Sequence, residues 1–181
     1  ISLKTTMLNV ESLALLNEII VNTKSSILFR TLRKSGLIYD ISGKVRIFPK
    51  NLIFLKFNTE TESKNIERVV KRIIEKLHSL SKNIFISKQK LNTIRQNLIS
   101  KLISNYQSPE YALNFYVNNF LFYNETLDFD NYLNMIKKID LVKIRKVIKY
   151  INLSKIKLVI LTNKKLKNAK EILENKDRGH R

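Results

Sequence analysis

Hydrophobic residues recur every three to four positions over most of the chain, which is the period of a helix that buries one face. Ser87 and Ser108 stand where N-caps are expected, and Pro109 suits the first turn of a helix. Gly36 can end a helix in the left-handed conformation. The pattern predicts helices within residues 10–22, 26–34, 64–80, 86–106, 108–123, 132–138 and 140–150. The first of these is expected to be amphipathic.

Extended segments interrupt this helical pattern in two places. Residues 37–42, 44–48 and 51–58 are short apolar runs, and Gly43 and Pro49 are interpreted as the turns between them. A last extended run, residues 155–162, predicts a closing strand. Because the first three runs are separated by so few residues, their strands are expected to be antiparallel. The predicted fold class is α+β, an antiparallel sheet with helices packed on one face.

The chain is strongly basic, with 34 Lys and Arg against 15 Asp and Glu and a net charge of +19. Such a balance raises a nucleic-acid-binding domain as one alternative. Much of the charge lies in residues 131–181, however, and the lysines of the helix after Asp140 fall opposite its isoleucines. That arrangement is typical of a solvated helix face, so nucleic acid is not the favoured partner.

Several kinds of catalytic and metal site are missing from the sequence. The chain has no cysteine, and its two histidines, His78 and His180, have no zinc-ligand partner at H-x-x-E-H spacing. Its three glycines form no phosphate-binding loop. No apolar run reaches the roughly 18 residues of a membrane span. We therefore expect no metal site, no catalysis by this chain alone, no membrane partner, and a cytoplasmic or other soluble reducing compartment.

The segment "ILFRTLRKSGLIYDISG", residues 27–43, carries a family resemblance. With the helix before it, it resembles the insulinase, pitrilysin and mitochondrial processing peptidase family of zinc peptidases (inverzincins). The matching positions are Ser25, Ser26, Leu28, Phe29, Leu32, Arg33, Gly36, Leu37 and Tyr39. The runs at 51–80, 86–100, 108–113 and 135–151 are similar to later elements of the same domain. The resemblance therefore covers nearly the whole chain, with a first strand that is short or absent.

The resemblance implies a division of labour between two related halves. One half carries H-x-x-E-H and its zinc, and the other presents an Arg and a Tyr to peptide bound there. This chain resembles the C-terminal-type half without zinc, with Arg33 and Tyr39 as the substrate-binding pair. They would donate hydrogen bonds to the scissile carbonyl or its oxyanion. They are separated by six positions, one fewer than the family usually has, and Arg30 lies one helical turn back as a substitute.

The same resemblance implies the partners. Zinc is expected in an H-x-x-E-H half that is fused upstream or is a separate subunit, the substrates are unfolded peptides, and extended substrate pairs with an exposed sheet edge. A degenerate scaffold subunit of the same fold is a second hypothesis. Tyr39 alternates with Leu37 and Ile41 and could equally fill a sheet position.

The chain is expected to be one domain over residues 1–175, a fragment of a longer chain, followed by a tail or engineered remnant at 176–181. Aromatic residues between 106 and 123 could line a peptide site, but Tyr116, Phe120 and Tyr123 share a helix face and are expected to be buried.

Overall fold

The computed structural model describes residues 2–4, 10–48, 52–82, 84–123, 126–149, 151 and 156–163. The predicted tail at 176–181 lies outside this part. The elements, in chain order, are β1 (Ser2–Lys4), α1 (Val10–Asn17), α2 (Ile27–Lys34), β2 (Asp40–Phe48), β3 (Leu52–Glu60), α3 (Ile66–Lys82), α4 (Lys88–Tyr106), α5 (Pro109–Tyr123), α6 (Phe129–Lys137) and α7 (Leu141–Lys149). A π-helical turn, Glu18–Asn22, follows α1, and a 3₁₀ turn, Ser63–Asn65, precedes α3.

The fold is α+β, as predicted, with an antiparallel sheet in the order β1-β3-β2. One detail of the sheet was predicted wrongly. Gly43 is not a turn, because β2 runs unbroken from Asp40 to Phe48 and pairs Gly43 with Phe57 of β3. The glycine is needed for space instead: a Cβ there would overlap Oδ1 of Asn17 and lie 3.2 Å from Phe57 Cδ1. The small residue lets α1 approach the strand closely.

Two asparagines on the first helical segment hold Gly43. Asn17 Nδ2 and Asn22 Nδ2 each donate to the Gly43 carbonyl at 3.0 Å. The Gly43 N–H donates to Asn22 Oδ1 at 2.7 Å. Since its polar groups point to Asn22 rather than to Phe57, Gly43 faces the outer edge of β2. The π-helical turn places Asn22 there.

Helix α1 forms the centre of the core rather than an amphipathic surface helix. Its apolar residues and those of the π-helical turn are at most 1% exposed, as expected: Leu13, Leu15, Leu16, Ile19 and Ile20. Glu11 and Ser12 are also fully buried. The prediction that this helix is amphipathic was therefore wrong, because α4, α6, α7 and β2 pack around α1 on several sides.

The other helices follow their sequence patterns more closely. Ser87 caps α4 by accepting the Lys90 N–H at 3.1 Å, and Asp140 caps α7 by accepting the Lys143 N–H at 2.8 Å. In α7 the residues Ile144, Val147 and Ile148 are buried and Lys143, Lys146 and Lys149 are exposed. The solvated lysine face predicted for this helix is confirmed. No described helix is long and apolar enough to cross a membrane.

Two further predictions were wrong. Residues 156–163 form no ladder with the described strands; Ile156, Leu158 and Ile160 pack on α3 instead. The alternation that predicted a strand therefore reflects packing on a helix.

In α5, Phe120 is 51% exposed rather than buried. Tyr116 is half-buried, and its hydroxyl lies 2.8 Å from that of Tyr106, which stacks on Phe129. The Tyr123 side chain lies outside the described part. The aromatic contacts thus bury one side of α5 and leave Phe120 on the other.

Candidate functional site

The turn between α2 and β2 carries the two residues singled out from the sequence. Helix α2 ends in a Schellman motif, in which the Leu37 N–H donates to the Leu32 carbonyl at 3.1 Å and the Gly36 N–H to the Arg33 carbonyl at 3.0 Å. Gly36 has a φ of 65°, which a residue without Cβ adopts without strain. Leu32 and Leu37 are buried and anchor both ends of the turn.

The motif brings Arg33 and Tyr39 to neighbouring positions on the surface. Arg33 Nη1 donates to the carbonyl of Ile38 at 3.1 Å, so its guanidinium lies against the peptide bond that leads into Tyr39. Tyr39 is fixed through its backbone, since its N–H donates to the Glu60 carbonyl at 3.2 Å. Its side chain is 63% exposed and the residue precedes β2. Leu37 and Ile41 are buried, so Tyr39 alternates with them and presents its side chain on the exposed face.

A second cation lies close to Tyr39. Lys64, in the 3₁₀ turn before α3, forms an ion pair with Glu62 at 2.7 Å. The hydrogen bond to Glu62 and then its charge raise the pKa of Lys64, and Tyr39 makes a smaller contribution in the same direction. Lys64 thus adds a cation near Tyr39, but one whose charge is paired with Glu62.

A shallow groove of about 440 Å³ runs along the exposed side of α2. Its lining residues come from α2 and the loop before it: Lys24, Ser25, Phe29, Arg30, Arg33 and Lys34. Phe29 is half-buried, whereas the four cations are exposed. Arg30, considered from the sequence as a substitute for Arg33, therefore lies in the same groove as Arg33.

The sequence reasoning did not identify this groove. Lys24 joins it only because the loop before α2 folds beside the helix. The sequence feature that could have identified the groove is the absence of Asp and Glu from residues 23–39, together with the helical spacing of Arg30, Arg33 and Lys34.

No zinc-binding set is present in the part of the chain that the structure describes, where no three His, Cys, Asp or Glu side chains group together. His78 lies in α3 and is half-buried, and His180 lies outside the described residues. The donor chemistry of the described residues therefore does not fit a zinc ion.

The outer edge of β2 is not an open row of backbone groups. Asn22 takes up both the N–H and the carbonyl of Gly43 in the middle of this strand. An extended peptide that paired with β2 along its whole length would have to displace this side chain. The expected pairing of substrate with a sheet edge is thus obstructed at this position.

Comparison with known proteins places this geometry in context. Residues 7–98, about half of the 181-residue chain, match the family described as the Peptidase M16 inactive domain. A search of curated proteins found no match.

Solved structures with the same fold come from several organisms. The inactive peptidase domain of a candidate zinc protease from Bordetella parapertussis matches with a TM-score of 0.59 at 16% identity, over 77% of this chain and 75% of that one. A protease from Helicobacter pylori matches with a TM-score of 0.64 at 20% identity, over 76% of this chain and 33% of that one. A chain of complex III2 from Candida albicans, with Inz-5 bound, matches with a TM-score of 0.64 at 10% identity, over 82% of this chain and 37% of that one. The chain thus spans about a third of the length of the last two.

Proposed function

Since this chain belongs to the Peptidase M16 inactive domain family, we propose that it is the substrate-binding, non-catalytic half of a zinc metalloendopeptidase. It closes a chamber against a half that carries H-x-x-E-H and presents Arg33 and Tyr39 to peptide bound there. The partner half is fused to this chain or is a separate subunit. Residues 1–175 form the zinc-less domain, which binds unfolded peptides in a soluble compartment.

One observation carries this proposal. The turn after α2 holds an arginine and a tyrosine side by side on the surface, and the Arg33 contact to the Ile38 carbonyl bridges the short separation between them. The Tyr39 side chain is 63% exposed, and Arg33 is exposed as well. Both side chains can therefore reach a ligand outside this chain.

The chemistry proposed for the pair is hydrogen-bond donation to one oxygen. In peptide hydrolysis the scissile carbonyl oxygen gains negative charge as the tetrahedral intermediate forms. Donors fixed before the reaction stabilise that charge without reorganising, and one such donor contributes about 3 kcal/mol. Tyr39 would supply its phenol O–H, and Arg33 the N–H groups that Ile38 leaves free. Zinc in the partner half would activate water.

The test measures turnover in the assembled peptidase. We expect Tyr39→Phe to lower kcat roughly 100-fold with a small change in KM, because the lost donor acts mainly on the transition state. Arg33→Lys should also lower kcat, since an ammonium cannot reproduce the planar fork of a guanidinium. Tyr111→Phe and Arg145→Lys, which change the same chemistry away from the turn, are the controls. Unchanged kcat in Tyr39→Phe would contradict the proposal.

A scaffold subunit of the same fold is the second candidate. It is favoured by the Arg33 hydrogen bond to Ile38, which satisfies one donor of the guanidinium inside the chain. The complex III2 chain shares this fold and is part of a complex. A scaffold role predicts normal turnover in both Tyr39→Phe and Arg33→Lys. It also predicts loss of the complex when the interface between its two halves is disrupted.

A further inference from the structure

We infer that the groove along α2 binds acidic segments of polypeptide, so that the substrates of the assembled peptidase carry Asp or Glu beside an apolar residue. This inference rests on the proposed function, because it names the class of peptide that the Arg33 and Tyr39 site would receive. The inference depends on the charge and shape of the groove. The proposed role of Arg33 and Tyr39 would not by itself require either of these features.

The groove concentrates positive charge without compensation. Lys24, Arg30, Arg33 and Lys34 line it, and residues 23–39 contain no Asp or Glu. Within the part of the chain that the structure describes, none of these four cations takes part in an ion pair. Their attraction for an anion is therefore not cancelled by a neighbour.

Folding alone does not account for this arrangement. Arg33 and Lys34 lie in the last turn of α2, where the helix dipole favours cations. Arg30 is outside that turn, and it stands four positions before Lys34 on the same helix face, a spacing at which like charges repel. Lys24 is in the loop before the helix. An anionic ligand would relieve this repulsion.

The shape of the groove favours a peptide over a nucleic acid. Phe29 lies among the cations and is half-buried, so an apolar side chain of a ligand could pack against it. The loop is fixed as well, since Lys90 Nζ of α4 donates to the Ser25 carbonyl at 3.0 Å. A groove of about 440 Å³ accommodates a few residues rather than the long phosphate track that nucleic-acid binding uses. Exposed aromatics for base stacking do not line it.

The test uses the 181-residue chain and three dye-labelled probes in fluorescence anisotropy. The first probe is a short peptide of alternating Glu and Leu, the second has Gln in place of every Glu, and the third is a single-stranded oligonucleotide of the same charge as the first. We expect the Glu peptide to bind at least about tenfold more tightly than the Gln peptide, with an affinity that falls as salt rises.

Matched variants separate the groove from the overall charge. Arg30→Gln with Lys34→Gln should weaken the Glu peptide roughly tenfold, whereas Lys146→Gln with Lys149→Gln should change its affinity less than about twofold. Both pairs remove two exposed cations from a helix, so folding is preserved and net charge is equal. An equal effect of the two pairs, or tighter binding of the oligonucleotide that depends on Arg30 and Lys34, would overturn the inference.

The same experiments distinguish failure of the proposed function from failure of this inference. If Tyr39→Phe leaves turnover unchanged while Arg30→Gln with Lys34→Gln still weakens the Glu peptide, the groove binds acidic peptide but the pair has no catalytic part. If turnover depends on Tyr39 and the Gln peptide binds as tightly as the Glu peptide, the acidic preference alone is wrong.

Discussion

Replacing Gly43 by alanine tests whether close packing of α1 on β2 determines the residue at this position. In a strand without obstruction, Gly→Ala stabilises by about 0.5–1 kcal/mol because glycine loses more backbone freedom on folding. Here the new methyl group would overlap Asn17 Oδ1 and lie 3.2 Å from Asn17 Cγ and from Phe57 Cδ1. The sign of the effect therefore distinguishes the two situations.

The neighbours of Gly43 have little room to yield. Asn17 is 5% exposed, and its Nδ2 donates to the Gly43 carbonyl. Overpacking by one methyl group in such a site costs about 1–3 kcal/mol. We expect Gly43→Ala to lower the free energy of unfolding by about 2 kcal/mol, which lowers Tm by roughly 4–8 °C for a chain of this size.

A double-mutant cycle identifies the cause. Asn17→Ala removes the clashing amide, while the Gly43 carbonyl keeps its hydrogen bond from Asn22. The double variant should recover at least about 1 kcal/mol relative to the sum of the single changes. Thermal and urea unfolding followed by circular dichroism measure all variants, with the exposed Ser42→Ala as control. The reasoning is refuted if Gly43→Ala is as stable as the parent chain or if the two changes are additive.

Two further predictions concern the aromatic cluster and a helix cap. Hydrogen bonding to Tyr116 is the main cause that raises the pKa of Tyr106 to about 12, and the ordinary value is about 10. The hydrogen bond between Tyr106 and Tyr116 therefore contributes fully to stability below about pH 10, and this contribution is lost as pH rises toward 12. Tyr116→Phe should lower the pH at which one tyrosine ionises in an absorbance titration, and an unchanged curve would contradict this. Asp140→Ala should cost about 1 kcal/mol in urea unfolding, since the Lys143 N–H loses its acceptor, whereas Asp140→Asn should cost much less.

Local signals predicted the elements that depend on local chemistry. The end of α2 at Gly36 and the caps at Ser87 and Asp140 follow from side chains and dihedral angles within a few residues. The lysine face of α7 follows from helical periodicity alone. Such features are readable from one sequence because no distant residue decides them.

The errors share a different cause, which is the identity of the packing partner. Gly43 was predicted to be a turn because it is a glycine. In the structure a glycine is needed there because Asn17, 26 positions away, occupies the space beside it. Residues 156–163 alternate as a strand would, but their partner is α3. At the candidate site, Arg33 and Tyr39 were identified by resemblance, whereas the contribution of Lys24 depends on how the loop folds beside α2. Their proposed role remains a prediction.

The amide of Asn22 also bears on how copies of this protein behave toward one another. An unprotected edge strand offers its backbone groups to other chains and is a frequent start of aggregation. Asn22 occupies the middle of such an edge with the same donor and acceptor that another strand would bring. One side chain from a helical turn is therefore expected to hinder edge-to-edge pairing between copies of this basic, isoleucine-rich chain at high concentration.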